Sequence, residues 1–406
     1  MDRAEHEIAP SAARRAGAPF RGANASGMRA HNERLVLSLL RRDGPLAKTE
    51  IARATGLSNQ AVSVIVRALE ADGLIARGSP VRGRVGQPSV PMRLSGEGAL
   101  FFGLKIGRRS IELALVDFLG RVVAADRRVW RYPTPDAVVA FVAERLPALR
   151  RALPAGRRDR LAQDKIVGLG IAMPFQLWNW GAYLDAPPGA LDDWRTRDIA
   201  AEIAALTELP VTLQNDATAA CGAELVFGTG ERLENALTIY FGFFIGGGLV
   251  LNGQLYTGRR GNAAGLGPLP VPCPGGGGAP LLSIASLCAL AARIAEAGGD
   301  PERLWESPED WDLSPAVREG FVAASAQGLA SAILSASALL ELDAVVIDGW
   351  LPADLREEIV ARTDHAFRRL DLSGIEPLRI RAGTVGPHAR VLGAAAIPLA
   401  QRYLVD

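Results

Sequence analysis

A chain of 406 residues has room for two or three domains, each able to bury its own core. Apolar residues at 49% and charged residues at 22% are the balance of a soluble globular protein, which excludes fibrous and low-complexity classes. The formal net charge of +1 hides an asymmetry: residues 1–95 carry 15 Lys+Arg against 8 Asp+Glu, and the remainder 30 against 36. A basic head of +7 on an acidic body of −6 suggests that one end meets a polyanion while the other repels it. The three cysteines, Cys221, Cys273 and Cys288, show no C-x-x-C spacing, which argues against a disulfide framework and fits a reducing compartment. Residues 1–27 are rich in Ala, Arg and Pro without an apolar core of signal-peptide length, so a cytoplasmic location is expected. The most apolar long stretch, 321–342, is interrupted by Ser325, Gln327, Ser331, Ser335 and Ser337. It reads as a closely packed interior helix, and no membrane span is expected.

In chain order, residues 1–28 predict a disordered tail. From His31, the spacing of Leu35, Val36, Leu39 and Leu40 predicts a helix ending near Asp43-Gly44-Pro45. A short second helix over Lys48–Thr55 places Ile51 inward and stops at Gly56. Leu57 then points back to the core, and Ser58 is a suitable N-cap for a third helix reaching about Asp72. Val62, Ile65 or Val66, and Leu69 make its buried stripe, leaving Asn59, Gln60, Ser63, Val64 and Arg67 outside. Two helices joined by a tight Gly-containing turn, the second with a small polar outer face, describe a helix-turn-helix. Residues 73–94 then read as strand, basic Gly-rich loop (Val81-Arg82-Gly83-Arg84-Val85-Gly86-Gln87-Pro88) and strand, which is a wing. A three-helix protein-interaction module is the alternative, disfavoured by the wing arginines and the charge asymmetry.

After a short linker at 95–99, strands and helices alternate. Strands are expected at 101–106 and 111–118 around a Gly107-Arg108-Arg109 turn, at 166–172, 211–214, 237–241, 248–251 and 344–347. Helices are expected at 136–152 and 198–207, with a helix-rich span at about 280–342. The order is mixed α/β in two lobes.

Six segments, in order, resemble a known family, the ROK regulators and kinases (repressors, open reading frames, kinases). Arg29-Ala30-His31-Asn32 with Leu35-Val36-Leu37 is similar to the family's first helix, and Gly83-Arg84-Val85-Gly86-Gln87-Pro88 to its wing. Gly168-Leu169-Gly170-Ile171-Ala172-Met173-Pro174 and Gln214-Asn215-Asp216-Ala217-Thr218-Ala219-Ala220 fall on its sugar-site segments. Ile245-Gly246-Gly247-Gly248 with the run from Leu251 to Gly258 resembles a central motif, and Leu392-Gly393-Ala394-Ala395-Ala396 the last helix. The resemblance implies a winged helix-turn-helix at 29–96 followed by a two-lobed actin/hexokinase-like (ribonuclease H-like) α/β domain at 97–406. Its lobes are expected at about 97–217 plus 392–406, and 218–391.

The resemblance also marks departures. The family's first phosphate loop, roughly D-x-G-G-T, reads here Lys105-Ile106-Gly107-Arg108-Arg109, which puts a cation where a metal-associated carboxylate belongs and a long side chain where backbone must approach phosphate. The second, normally G-T-G-x-G, reads Gly242-Phe243-Phe244-Ile245-Gly246. Neither ATP nor Mg²⁺ is therefore expected, and no catalysis. Lys105 and Arg108 could instead bind phosphate themselves, a reading set against the space the Phe pair fills. Asp216, the general base of the kinases, keeps a role as an acceptor orienting a ligand hydroxyl, with Asn215 beside it; a helix cap after the strand is the structural alternative for both. The family's one-His, three-Cys zinc site corresponds to Pro268, Cys273, Gly275 and Pro280, so no zinc is expected. Gly265, Pro268 and Leu282 replace three polar sugar contacts. Trp178, Trp180 and Trp194 follow the Pro174 strand, where an indole face can stack on a ligand or serve the core. Asn215, Asp216, Trp178, Trp180 and Asn262 are the candidate ligand contacts.

The implied function is a transcriptional regulator, a repressor of carbohydrate-related genes, that senses a sugar or polyol-like effector without phosphorylating it. The alternative is a ROK sugar kinase with an added DNA-binding domain. Ser58, Asn59, Gln60, Ser63 and Arg67 would meet base edges and phosphates, and Arg82, Arg84 and Gln87 the wing contacts. One such module buries too little surface for tight binding, so a homodimer or dimer of dimers on a palindromic double-stranded operator is expected.

Overall fold

The computed structural model describes residues 25–80, 90–152, 165–272, 276–309 and 311–405. Helix α1 spans Ala25–Asp43 and begins inside the expected tail. An Arg29–Glu33 pair at 2.9 Å, four residues apart on one face, supports its first turns, where Ser26, Gly27, His31 and Asn32 are weak helix formers. Helix α2 (Lys48–Thr55) ends at Gly56, whose φ of 71° suits a residue without Cβ. Helix α3 (Asn59–Ala71) starts from Ser58, whose side chain accepts from the Ala61 N–H, and buries Val62, Ile65, Val66 and Leu69 as the pattern requires. Strands β1 (Ile75–Arg77) and β2 (Met92–Leu94) pair antiparallel, and a bridge from Leu46 to Met92 ties them back to the start of α2. The loop of the expected wing, with Arg82, Arg84 and Gln87, lies outside the described residues.

Residues 95–99 are not a free linker. Ala99 is fully buried, and the Ser95 N–H donates to the Leu74 carbonyl at 2.9 Å. A Cβ on Gly98 would stand 2.8 Å from the Gly73 oxygen and the Leu74 Cα. Only a glycine allows this approach, and it seats the N-terminal domain on the body of the protein.

The body repeats one arrangement twice. Strands β3 (Leu100–Ile106), β4 (Ser110–Asp117), β5 (Val122–Val129), β6 (Ile166–Met173) and β7 (Val211–Asn215) form a sheet of order β5-β4-β3-β6-β7. Its first three strands are antiparallel and its last two parallel. The second sheet, of β8 (Ala236–Phe241), β9 (Ile245–Leu251), β10 (Gln254–Tyr256), β13 (Ala344–Gly349) and β14 (Arg379–Ala382), has order β10-β9-β8-β13-β14 with the same pattern. A hairpin of β11 (Pro270–Pro272) and β12 (Gly278–Pro280) stands apart from both. Helices α4 (Pro135–Arg151) and α5 (Ile199–Thr207) pack together, and α4 also covers β4 and β5 of the first sheet. Helix α6 (Asp216–Phe227) packs against β9 of the second lobe and against the last helix. Helix α6 thus follows directly on the first sheet and packs on the second, linking the two lobes.

Helices α7 (Leu287–Glu296), α8 (Arg303–Glu306), α9 (Pro315–Ser337) and α10 (Ala353–Phe367) complete the second lobe. Among the described residues, α9 is the one helix long and apolar enough to cross a membrane; it packs against α10, α7 and β11, with Phe321, Val322, Leu329 and Ile333 buried. The last helix, α11 (Ala389–Tyr403), lies on β3 and β6 at unusually close range. A Cβ on Gly170 would sit 1.8 Å from the Ala394 oxygen, and one on Gly393 1.8 Å from the Ala219 oxygen. Both positions need glycine for that reason.

One apolar core joins the N-terminal domain to the first lobe. Val36, Leu40, Leu69, Ile75 and Met92 from the former share it with Phe101, Val116, Phe118, Val391 and Leu399 from the latter. The ring of Tyr403 packs edge-on against Phe118 at 5.1 Å and Phe101 at 6.1 Å. Arg41 donates to the Phe118 carbonyl at 2.6 Å, with its guanidinium 4.9 Å over the Phe118 ring and 5.6 Å over Phe227. Burial lowers the Arg41 pKa to about 10, partly countered by Asp117.

Candidate functional site

Two surfaces carry the candidate residues. The first is the outer face of α3, set by the helical period that buries its other stripe. Asn59, Gln60 and Arg67 are exposed and Ser63 is half-buried; Val64 between them is 46% exposed, an apolar group at the centre of a polar face. Ser58 spends its hydroxyl oxygen on the helix cap, and Ser63 donates its hydroxyl to the Asn59 carbonyl at 2.8 Å. Arg67 donates through Nε to the Ser63 carbonyl at 3.2 Å, and among the described residues no carboxylate pairs with its guanidinium. Arg53 of α2 is exposed beside this face, a cation that the pattern of the third helix alone does not point to.

The second surface is the cleft between the lobes. Lys105 ends β3 with its ammonium buried, donating to the Ser110 hydroxyl at 2.5 Å and the Ser110 carbonyl at 3.2 Å. Burial drives its pKa well below the ordinary lysine value, and the neighbouring Arg390 lowers it further. Arg108 makes no hydrogen bond among the described residues. Its guanidinium lies 4.7 Å over Phe244 and 5.3 Å over Trp180, and burial lowers its pKa to about 10.

The Phe pair fills space as the sequence suggests. Phe243 packs on Trp305 at 5.4 Å, and Phe244 packs on Trp180 at 4.8 Å and Tyr183 at 5.2 Å. Beside Phe243 and Trp305, at the β3 end, lies a small cavity of about 20 Å³. Asp216 accepts from Arg390 at 3.3 Å, so the position of the kinase base is held in an ion pair. Arg390 itself is 9% exposed and lies 5.0 Å over the Tyr240 ring, whose hydroxyl donates to the Pro387 carbonyl.

The other candidates separate. Asn215 caps α6, its side-chain oxygen accepting from the Ala217 and Thr218 N–H groups at 3.0 and 3.2 Å, so its amide oxygen is already committed. Trp180 joins the cleft wall through Phe244, whereas Trp178 packs 5.4 Å from the Arg195 guanidinium. Trp194 is core: 6% exposed, donating to the Pro133 carbonyl at 3.0 Å. Asn262 is exposed, on a turn whose Gly261 lies against Phe175. Cys273 and Gly275 of the family's zinc positions lie outside the described residues. Cys221 is buried and its thiol pKa is pushed up to about 12, while Cys288 is half-buried. Sequence reasoning misses Arg127 and Arg390, and also the His388–Glu112 pair at 2.9 Å. These residues meet only through packing of β4, β5 and α11, and no local motif announces them.

The comparisons with known proteins divide along the same line. A winged helix-turn-helix DNA-binding family matches residues 29–76. Over 91% of its length the chain is 26% identical to a protein named transcriptional regulator Mb0495 in Mycobacterium bovis, covering 85% of that protein. It is 21% identical to the xylose repressor of Bacillus subtilis across 59% of this chain and 60% of the repressor. The crystal structure of a ROK family transcriptional regulator, described as a homolog of the E. coli MLC protein, superposes with a TM-score of 0.63 and 22% identity. That match spans 92% of this chain and 97% of the other, and it shows the shared fold. The ROK family profile itself matches residues 101–401, most of the chain, and the protein belongs to the ROK family.

Proposed function

We propose that this protein is a DNA-binding transcriptional regulator, a repressor of carbohydrate-related genes, whose ROK domain binds a sugar-like effector and does not phosphorylate it. The observation that carries the proposal is the single core shared by a helix-turn-helix and a ROK lobe, and the cleft residues of that lobe argue against kinase chemistry. Phosphoryl transfer needs backbone near the phosphates, a metal-associated carboxylate and a free base. Lys105, Arg108, the Phe243-Phe244 pair and the Arg390-bound Asp216 oppose all three.

In this reading α3 enters the major groove. Asn59 and Gln60 present amides suited to adenine, and Val64 offers methyls to thymine. Ser58, Ser63 and Arg67 lie where phosphates flank the groove, and Arg82, Arg84 and Gln87 of the wing extend the contact. A homodimer supplies the second head for a palindromic operator. Effector binding shifts the lobes only as far as it prefers one arrangement. Because α1 and α11 share a core, a lobe movement carries the DNA-reading head with it.

The test is selection of genomic fragments by the purified protein, followed by affinity measurements on the recovered site. Arg67→Ala should weaken binding to all fragments alike and reduce the salt slope by about 1.8, one phosphate contact at about 0.9 lost from each head of the dimer. Gln60→Ala should relax preference at one base pair by about 1–3 kcal/mol. If no fragment is enriched over bulk DNA, the proposal fails.

A further inference from the structure

The cavity in the cleft has an unusual lining. Lys105, Arg108, Arg109, Arg127 and Arg390 contribute five cations, with Phe243, Trp305 and Trp350 between them, and no carboxylate among the described residues reaches its wall. The nearby carboxylates are already engaged. Glu112 is bound by His388 at 2.9 Å, Asp216 by Arg390 at 3.3 Å, Glu302 by Arg109 at 3.2 Å and Asp348 by Arg356 at 2.9 Å. Three cations form no ion pair within contact distance among the described residues, although Glu112 stands opposite Lys105 and Arg127 in the strand register. Lys105 meets only the neutral oxygens of Ser110. Arg127 donates to the Trp305 and Glu306 carbonyls and lies 4.4 Å over Trp350. Arg108 rests on aromatic faces alone. The Nε groups of Arg108, Arg109, Arg127 and Arg390 are inaccessible to water and have no partner among the described residues.

Buried charge without a counter-charge is costly, and folded proteins keep it where a ligand supplies the missing sign. Glu112 partly offsets the charge of Lys105 and Arg127 from its place between them, yet burial and Arg390 still leave the Lys105 and Arg127 pKa values lowered, so this one carboxylate does not balance the cluster. Guanidinium forks and a point-charge ammonium converging on one cavity are the donor set for a tetrahedral phosphate or planar carboxylate. Resting on the regulator reading above, we propose that this cleft binds the anionic end of the effector, a phosphate monoester or carboxylate on a sugar-like body, through Lys105, Arg108 and Arg127. The aromatic walls then cover the sugar body, and only the charged end enters the cavity.

The test is calorimetric titration and thermal-shift measurement on the full-length protein with five probes: inorganic phosphate, a hexose 6-phosphate, a hexuronate, a neutral hexose and Mg-ATP. The expected result is saturable binding of at least one anionic sugar and none of the parent hexose in the same range. The hexose phosphate and the hexuronate separate the two anion types. Arg108→Gln should weaken that binding by roughly 30-fold, the lower range for removing one partner of a buried charged contact. The same variant should leave the melting temperature of the free protein unchanged or higher, since it removes an unpaired buried charge. Arg127→Gln gives a second, independent reading should Arg108→Gln fail to fold. No binding of any anion, or equal binding in both arginine variants, overturns the inference. Operator binding is measured on the same preparations: selective DNA binding without anion binding sinks this inference alone, whereas anion binding without selective DNA binding sinks the regulator reading.

Discussion

Removing the Tyr403 ring tests whether the DNA-reading head and the first lobe are one cooperative unit. The ring makes two edge-to-face contacts, with Phe118 and Phe101, and closes the core that α1, β2 and α11 share. Two aromatic pairs at about 0.5–1.5 kcal/mol each, plus the apolar area of a half-buried ring, give a cost for Tyr403→Ala of about 3 kcal/mol. An unfolding entropy of about 2.1 cal/mol/K per residue over 406 residues gives about 0.85 kcal/mol/K. The melting temperature should therefore drop by about 3–4 °C. Differential scanning calorimetry should show one transition for the whole chain, head included, in the parent protein, shifted as a whole in the variant. A separate early transition for the head in the parent protein, unmoved by Tyr403→Ala, would refute the shared-core argument.

Gly393→Ala drives a methyl into the Ala219 backbone oxygen, a clash no rotamer relieves, and should destabilise by about 3 kcal/mol or more, read as a lower denaturant midpoint. His388 has its pKa raised by the hydrogen bond to Glu112, with burial opposing. A raised imidazole pKa stabilises fully below the unfolded value near 6.5 and loses that contribution as pH rises through the folded value. Melting temperature should then decline from pH 6 toward 8 more steeply in the parent protein than in His388→Ala, and an NMR titration should place the His388 pKa lower in Glu112→Gln. Incubation with Mg-ATP and a panel of hexoses should yield no sugar phosphate above background, and Asp216→Asn should change nothing. Turnover abolished by that substitution would restore the kinase alternative.

How much the sequence made legible depends on how local each signal is. Ser58, Gly56 and the Val62-to-Leu69 stripe lie within a few residues of one another, and helices α2 and α3 come out where that spacing puts them. The two phosphate-loop departures are contiguous, so the side chains that crowd the cleft, Lys105 to Arg109 and Phe243 with Phe244, were readable from the sequence. Residues 95–99 misled as a linker because the close fit of Gly98 on Leu74 is a tertiary fact. Asn215 was legible as a helix cap directly after a strand, and its oxygen takes that role at the start of α6. Arg127 and Arg390 carry no local pattern; Arg127 meets Lys105 through the β3-β4-β5 register, on either side of Glu112, and Arg390 only because α11 returns across the sheet after nearly three hundred residues.

The most direct test of the central claim is a fluorescence-anisotropy titration of the protein on DNA upstream of its own gene and of neighbouring sugar-transport genes. It is run at two salt concentrations and with neutral and anionic sugars present. The account predicts tight, sequence-selective binding that weakens steeply with salt and that one sugar-like compound shifts by tenfold or more. Binding that is equal on all fragments, or selective binding that no compound changes, would contradict an effector-responsive regulator.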